Sequence, residues 1–434
     1  MKFFKIPDEN NLAKLKNQAL SWAAQFDKLA YYDNNEYTNN VYHRYESLLA
    51  CGTWRVMESN NELGFQTLES FLKAQTREWV FGYLGYDLKN ELEELSSKNL
   101  DNLGFAPLDF FVPEHLILIH PDKKRVEIHS KTIAPEIIWA AILATSPVQG
   151  EAPAQVPEIQ SKITKEAYLS TIRAIRENII EGDVYELNFC QEFYAENVDL
   201  EPLPLFVRLN QLSPAPFAAY YRNKEQHLLC ASPERFLYKK DRKLVSQPIK
   251  GTIRRGLNEE EDVLLKEKLL NSEKDRAENV MIVDLVRNDL ARTCETGSIE
   301  VEELFAIYPF RQVLQMISTV SGTLKGTETG LSAIKAAFPM GSMTGAPKVM
   351  SMELIEDYES TKRGLYSGTV GYFTPDGDFD FNVVIRSILY NASRQYLSFQ
   401  VGGAIVYDSD PEGEYEECLL KAKGIFAALN SLKV

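Results

Sequence analysis

Glu234, in Cys230-Ala231-Ser232-Pro233-Glu234-Arg235-Phe236, and Lys250, in Gln247-Pro248-Ile249-Lys250-Gly251-Thr252, set a carboxylic acid near an amine. The apolar runs Leu228 to Tyr238 and Leu244 to Ile249 flank the polar tip Lys239-Lys240-Asp241-Arg242-Lys243, the pattern of a β-hairpin. A hairpin symmetric about that tip brings Glu234 opposite Lys250 to within a residue. The bland outcome for a Glu/Lys pair on a hairpin is an exposed ion pair. Here both residues lie beside prolines, and Lys250 runs into Gly251-Thr252, where the ladder should end and free backbone N–H groups. An amine beside a carboxylate at an anion-binding turn can act as nucleophile and proton donor.

Two helical segments offer further carboxylates. Ser272-Glu273-Lys274-Asp275 reads as an N-cap with its capping-box partner, and Met281, Ile282, Leu285 and Val286 then mark a buried face. Glu278 shares that face. A carboxylate there is costly unless compensated, by a salt bridge to Arg287 or Arg292 or by a metal ion. The last helix opens at Asp410-Pro411, a cap followed by proline at the first helical position. At ~100° per residue, Glu414, Glu417 and Lys421 fall within a wedge of about 60° beside its apolar stripe. Such a wedge is usually a solvated face. Two helices with carboxylates beside their cores could instead clamp one hard cation such as Mg²⁺, with Lys421 balancing charge or holding a substrate carboxylate.

Pro339-Met340-Gly341-Ser342-Met343-Thr344-Gly345-Ala346-Pro347-Lys348 is a turn of small residues before a helix, and its N–H groups could meet an anion. Gly402-Gly403 and Gly251-Thr252 offer the same, although most glycine turns serve only the backbone. Arg386 lies in the apolar run Phe381 to Leu389 and needs an anion there, for which a carboxylate held by two hydrogen bonds is well suited.

The elements that must position these groups form a long chain. Its 434 residues can bury one large core or two smaller ones. The net charge of −15 argues against nucleic acid and anionic membrane as partners, but not against a small anion in a local field. No stretch reaches membrane-spanning length, and the N-terminus lacks a leader-like apolar core. Cysteines 51, 190, 230, 294 and 418 have no paired spacing and suggest reduced thiols in a cytoplasmic protein. All five histidines (43, 115, 120, 129 and 227) precede the hairpin, so chemistry in the second half must use carboxylates, lysines or tyrosines.

In chain order, the pattern gives a helix over residues 10 to 30 and strands at Ser47 to Ala50, Trp54 to Met57, Trp79 to Leu88, Leu116 to Ile119 and Val126 to Ile128. Ser146 to Ser161 is rich in Pro, Ala and Gln and marks a boundary. It separates an N-terminal region (1–146) from a second domain (162–434), with a linker over 147–161. Beyond it come a helix from Thr164 to Glu181, a strand from Val184 to Phe193, the hairpin and the helix from Ser272. Strands near Met316 to Leu324, Gly368 to Phe373, Phe379 to Leu389 and Leu397 to Val406 follow, then a helix from Pro411 to Leu429. Mixed long strands and helices point to an α+β fold of sheet layers flanked by helices.

Taken together, five segments resemble the chorismate-utilising enzymes over about residues 160 to 430. They are Ser232-Pro233-Glu234-Arg235-Phe236, Pro248-Ile249-Lys250-Gly251-Thr252, Asp275-Arg276-Ala277-Glu278-Asn279 through Asp284-Leu285-Val286-Arg287-Asn288-Asp289, Thr344-Gly345-Ala346-Pro347-Lys348, and Glu414-Tyr415-Glu416-Glu417 with Lys421. The N-terminal region matches loosely, best at Gly85-Tyr86-Asp87-Leu88. The resemblance implies two sheets packed as a β-sandwich, flanked by helices, in two intertwined subdomains. Lys250 resembles the aminodeoxychorismate synthase branch, because anthranilate and isochorismate synthases usually carry alanine there.

The implied chemistry places Mg²⁺ on Glu278, Glu414 and Glu417, where it holds the ring carboxylate of chorismate with help from Gly251 and Thr252. Glu234 protonates the departing C4 hydroxyl while Lys250 attacks C2; ammonia then adds at C4 and expels the lysine. Tyr366 and Arg386 match positions that hold the enolpyruvyl carboxylate, with Gly402 and Gly403 nearby, and Thr344 and Lys421 also fall on substrate-binding motifs. To attack, Lys250 must be neutral, so its pKa should be depressed. Ammonia is implied to come from a separate glutamine amidotransferase subunit, since no Cys/His/Glu segment remains for a fused glutaminase. Three positions depart from the family pattern. Gln315 stands for a histidine, Ala404 for a third glycine, and Glu186 for the glutamine of ammonia-using relatives or the water-activating lysine of isochorismate synthases. The rival readings are an anthranilate synthase component, which would release pyruvate, and a non-catalytic chorismate-binding protein.

Overall fold

The computed structural model describes residues 1–7, 11–38, 41–57, 64–311 and 313–430 of the 434. Among them, twelve strands form one antiparallel sheet and ten a second, with eleven α-helices around them. The fold is α+β. In the larger sheet, Lys28–Asp33 pairs with Ser47–Cys51 on one side and Phe217–Asn223 on the other. In the smaller, Val80–Leu84 lies between Leu108–Val112 and Thr369–Phe373. Strands from before residue 147 and after residue 161 therefore interleave in both sheets. The stretch between adds only Gln160–Ser161, paired to Phe193 and Tyr194.

One apolar core fills the space between the sheets. Phe81, Tyr83, Phe110 and Phe381 of the smaller sheet meet Ala30, Leu48, Ala219 and Leu228 of the larger. Each such large side chain, fully buried, contributes roughly 1.5–3 kcal/mol over its exposed state. The far face of the larger sheet packs against helices Leu12–Ala23, Pro135–Ala144, Lys165–Glu181, Pro202–Leu212 and Pro411–Ala428. Among the described residues no helix is long and apolar enough to cross a membrane.

Local signals set several boundaries as the sequence implied. Thr164 accepts a hydrogen bond from the Ala167 N–H and starts its helix, and Gly182 ends it in the left-handed conformation at φ +92°. Other boundaries differ. The first helix runs only Leu12–Ala23, after which Lys28–Asp33 is a strand; the apolar run crosses from one element to the next, and position 10 lies outside the described residues. The run Leu228 to Tyr238 divides at Ser232-Pro233-Glu234, because proline has no N–H for the ladder and the chain there steps between sheets. Phe379 to Leu389 divides likewise into Phe379–Asn382 and Ser387–Asn391, one strand in each sheet. Arg386 stands at that step with φ +52°, outside any strand. A run buried on both faces reads as one strand by hydropathy alone.

Candidate active site

The hairpin forms, but its geometry at Lys250 is different from the symmetric reading. Arg235–Lys240 pairs with Lys243–Gln247, and Pro248 ends that ladder. Ile249–Arg254 then pairs with a different neighbour, Val313–Thr323, and the register slips by one residue between Ile249 and Thr252. The ladder does not end at Lys250; it bulges there. Gly251 supports the bulge with φ +89°, and a Cβ on it would come 2.9 Å from Asp275 Oδ1. Lys250 hydrogen-bonds Glu186 rather than Glu234. Its Nζ donates to Oε1 of Glu186 at 2.6 Å, across to the Glu186–Ala195 strand of the other sheet. Burial disfavours the ammonium, yet Glu186, Glu278 and Glu234 together outweigh it and raise the Lys250 pKa above the ordinary amine value. The expectation of a depressed pKa is corrected: three carboxylates surround this amine, and they favour its charged form.

Glu234 is 4 % exposed. Burial raises its pKa from 4.5 to about 7, although the Ser342 hydroxyl, which donates to Oε1 at 2.6 Å, and the Lys250 charge both oppose the rise. Ser342 belongs to the small-residue turn before the Lys348–Tyr358 helix. A narrow cleft reaches Glu234 and Ser342, lined also by Met340, Val286 and Asp289.

The two carboxylate helices stand where their caps put them. Ser272 Oγ accepts from the Asp275 N–H to begin Glu273–Ala291, and Asp410 accepts from the Gly413 N–H to begin Pro411–Ala428. Asn279 anchors the first helix by accepting from Ser318 Oγ of the Val313–Thr323 strand. Glu278 is not paired with Arg287, which bonds Asp284 instead. Its Oε1 is buried without a hydrogen-bond partner, and burial lifts its pKa to about 7 against the pull of Lys250. The Lys274 ammonium lies 3.8 Å from Glu278 and 3.6 Å from Glu414. Glu414 is 5 % exposed and accepts from Ser409 Oγ, while the exposed Glu417 pairs with Lys421 at 2.8 Å and is held below the usual carboxylate range by it.

Glu278, Glu414 and Glu417 face an open volume beside Gly403. A Cβ added to Gly403 would lie 3.4 Å from Glu414 Oε2 and 3.8 Å from Glu417 Oε1, so glycine keeps that volume clear. Among the described residues no three His, Cys, Asp or Glu are close enough together to hold a metal ion as they stand. The donor set still suits a hard cation: all ligating atoms are carboxylate oxygens, one is orphaned, and an ammonium already sits between two of the groups.

The other candidates surround this centre. Lys421 Nζ donates to the Gly402 carbonyl at 2.9 Å, and Gly402 pairs with Cys190, next to which lies the Tyr366 hydroxyl at 3.4 Å from Sγ. Arg386, half-buried, makes no hydrogen bond or ion pair through its guanidinium among the described residues. Thr344 is wholly buried and spends its hydroxyl on the carbonyls of Met340 and Gly341, which stiffens the turn. Thr252 is exposed on its edge strand, opposite Gln315, whose buried Oε1 has no partner. Sequence reasoning missed the Glu186–Lys250 pair, the Ser342–Glu234 bond and the place of Lys274. The first two, and the Lys274–Glu414 contact, join residues distant in sequence, and only the departure at Glu186 marked one of them out.

Residues 27–427 match the family described as chorismate binding enzyme. A probable chloroplastic aminodeoxychorismate synthase of Oryza sativa subsp. japonica is 44 % identical over 264 residues, 60 % of this chain and 29 % of that one. Aminodeoxychorismate synthase component 1 of Bacillus subtilis is 32 % identical over 84 % of this chain and 80 % of its own. Proteins named anthranilate synthase component 1 align over a similar share. The crystal structure of anthranilate synthase component I from Streptococcus pneumoniae superposes with a TM-score of 0.77 at 26 % identity, covering 89 % of this chain and 93 % of that one. The chain spans only 29 % and 39 % of the two plant relatives it matches.

Proposed function

This chain belongs to the chorismate-binding enzymes, and we propose that within that family it aminates chorismate at C4, yielding 4-amino-4-deoxychorismate for para-aminobenzoate and folate synthesis. The observation that carries the reading is Lys250. It is an amine drawn by a β-bulge into a ring of carboxylates, at a position where the anthranilate and isochorismate branches usually carry alanine. An amine there has a use in C4 amination, as the nucleophile that holds C2 while C4 is exchanged.

The residues divide the work by position. Glu234 holds a proton up to about pH 7 and delivers it to the C4 hydroxyl, with its Oε1 oriented by Ser342. Arg386 and Tyr366 take the enolpyruvyl carboxylate; the free guanidinium of Arg386 gives a bidentate contact. The backbone of Gly402 and Gly403 and the bulge at Gly251 leave room for the ring carboxylate. Glu278, Glu414 and Glu417 are the residues that would hold Mg²⁺, which supplies charge neutralisation for that carboxylate. Chorismate and ammonia are the substrates. Ammonia comes from a separate glutamine amidotransferase subunit, and the protein works in the cytoplasm.

The alternative, an anthranilate synthase component, is favoured by the anthranilate synthase names among the relatives. Product analysis separates the two. Purified protein is incubated with chorismate, Mg²⁺ and ammonium, and the products are followed by chromatography and mass spectrometry. Aminodeoxychorismate without pyruvate supports the proposal; anthranilate with pyruvate overturns it.

A further inference from the structure

Glu186 holds Lys250 with only half of its carboxylate. Lys250 Nζ lies 2.6 Å from Oε1, and the two side chains are 10 % and 1 % exposed. Oε2 is buried with no hydrogen-bond partner among the described residues. Leaving a buried acceptor unsatisfied costs about 1–3 kcal/mol. A buried ion pair is weak support for stability, since apolar residues of the same volume often do as well. The arrangement calls for a role beyond packing.

A protonated lysine has no lone pair to give. We propose that Glu186 is the base that takes the proton of Lys250, making it the nucleophile, and returns that proton when the lysine leaves. The inference rests on the reading that Lys250 attacks chorismate. Lys250 faces Glu186 from the Glu186–Ala195 strand, Glu278 from the Glu273–Ala291 helix, Glu234 from the turn before Arg235, and Glu417 from the last helix. Among the described residues only Glu186 is at hydrogen-bond distance from Nζ. Glu234 is turned to Ser342 and is committed to the C4 oxygen. Substrate entry displaces water, and in a drier site the neutral amine and acid are favoured over the charged pair.

The steps balance. A proton passes from Nζ to Oε1 of Glu186. The Nζ lone pair forms a bond to C2, the C1–C2 π pair moves to C1–C6, and the C5–C6 pair moves to C4–C5. The C4–O bond breaks, and the oxygen leaves as water with the proton of Glu234. Ammonia then bonds to C4, the π pairs shift back, and the C2–Nζ bond breaks to release a neutral lysine. The new C4 ammonium returns a proton to Glu234, and Glu186 returns its proton to Lys250.

The test compares wild type, Glu186→Gln and Glu186→Asp by the rate at which Lys250 gains the chorismate-derived mass without ammonia. Rates are read from quenched samples between pH 6 and 9, and thermal melts confirm folding. Glu186→Gln is expected to form the adduct roughly 10²-fold more slowly at pH 7, recovering toward the wild-type rate at alkaline pH, with the chorismate KM little changed. Glu186→Asp should keep part of the rate at pH 7; if the glutamine variant does not fold, the aspartate variant is read by the same pH profile. An unchanged or faster rate at pH 7, or a loss that does not depend on pH, overturns the role of Glu186. A wild-type protein that forms no adduct overturns the Lys250 reading, and this inference with it.

Discussion

Replacing Glu234 with glutamine should cost activity and raise stability, and the size of the gain depends on pH. Burial lifts the Glu234 pKa from 4.5 to about 7, so the folded state keeps a proton that the unfolded chain releases. Stability is therefore lost as pH rises from about 4.5 to 7, and the full loss is in place above that. A rise of about 2.5 units at 1.36 kcal/mol each amounts to about 3 kcal/mol. Glutamine does not ionise and can still accept from Ser342 through its own Oε1. The variant should therefore exceed wild type by under about 1 kcal/mol at pH 5 and by about 3 kcal/mol at pH 8. With an unfolding entropy of about 2.1 cal/mol/K per residue, the pH 8 gap is about 3 °C in Tm for a chain of this size. Thermal melts of both proteins at pH 5 and pH 8 measure it, while amination should fall roughly 10²- to 10⁴-fold in the variant. A gap that is the same at both pH values, or a variant less stable than wild type at pH 8, would refute the burial argument.

Gly403→Ala places a Cβ 3.3 Å from Lys421 Nζ and 3.4 Å from Glu414 Oε2, and should raise the Mg²⁺ needed for half-maximal activity while the fold survives; titration of activity with Mg²⁺ reads this. Gly402→Ala puts its Cβ 1.9 Å from the Phe189 carbonyl oxygen and should break the strand pairing, read as little or no soluble folded protein. Arg363→Ala leaves the buried Glu359 without its ion-pair partner and strips donors from the carbonyls of Met343 and Asn188, a loss of about 3–5 kcal/mol read by denaturant unfolding. Arg386→Gln should raise the chorismate KM by roughly tenfold or more, the worth of a charge-assisted hydrogen bond, with a smaller change in kcat.

Much of the site was legible because its chemistry is carried by short segments. Helix caps at Ser272 and Asp410 and the stripes behind them placed Glu278, Glu414 and Glu417 on the right helices. What the sequence could not show was how those segments meet. Lys250 bonds Glu186 because a bulge supported by Gly251 turns it across to the other sheet, and hairpin symmetry holds no trace of that. The charge of Lys250 was misjudged for the same reason: burial was expected, but the three carboxylates that outweigh it come from three distant segments. In the fold, apolar runs that cross between sheets at Pro233 and Arg386 hid their breaks, since both halves are equally buried.

The central claim is that Lys250 is a covalent nucleophile toward chorismate. Intact-protein and peptide mass spectrometry after incubation with chorismate and Mg²⁺, without ammonia, tests it directly in wild type and Lys250→Ala. The expected result is a gain of one chorismate less one water on the peptide bearing Lys250, absent from the variant, and released as aminodeoxychorismate when ammonium is added. An unmodified wild-type Lys250, together with product formation that the substitution leaves intact, would contradict it.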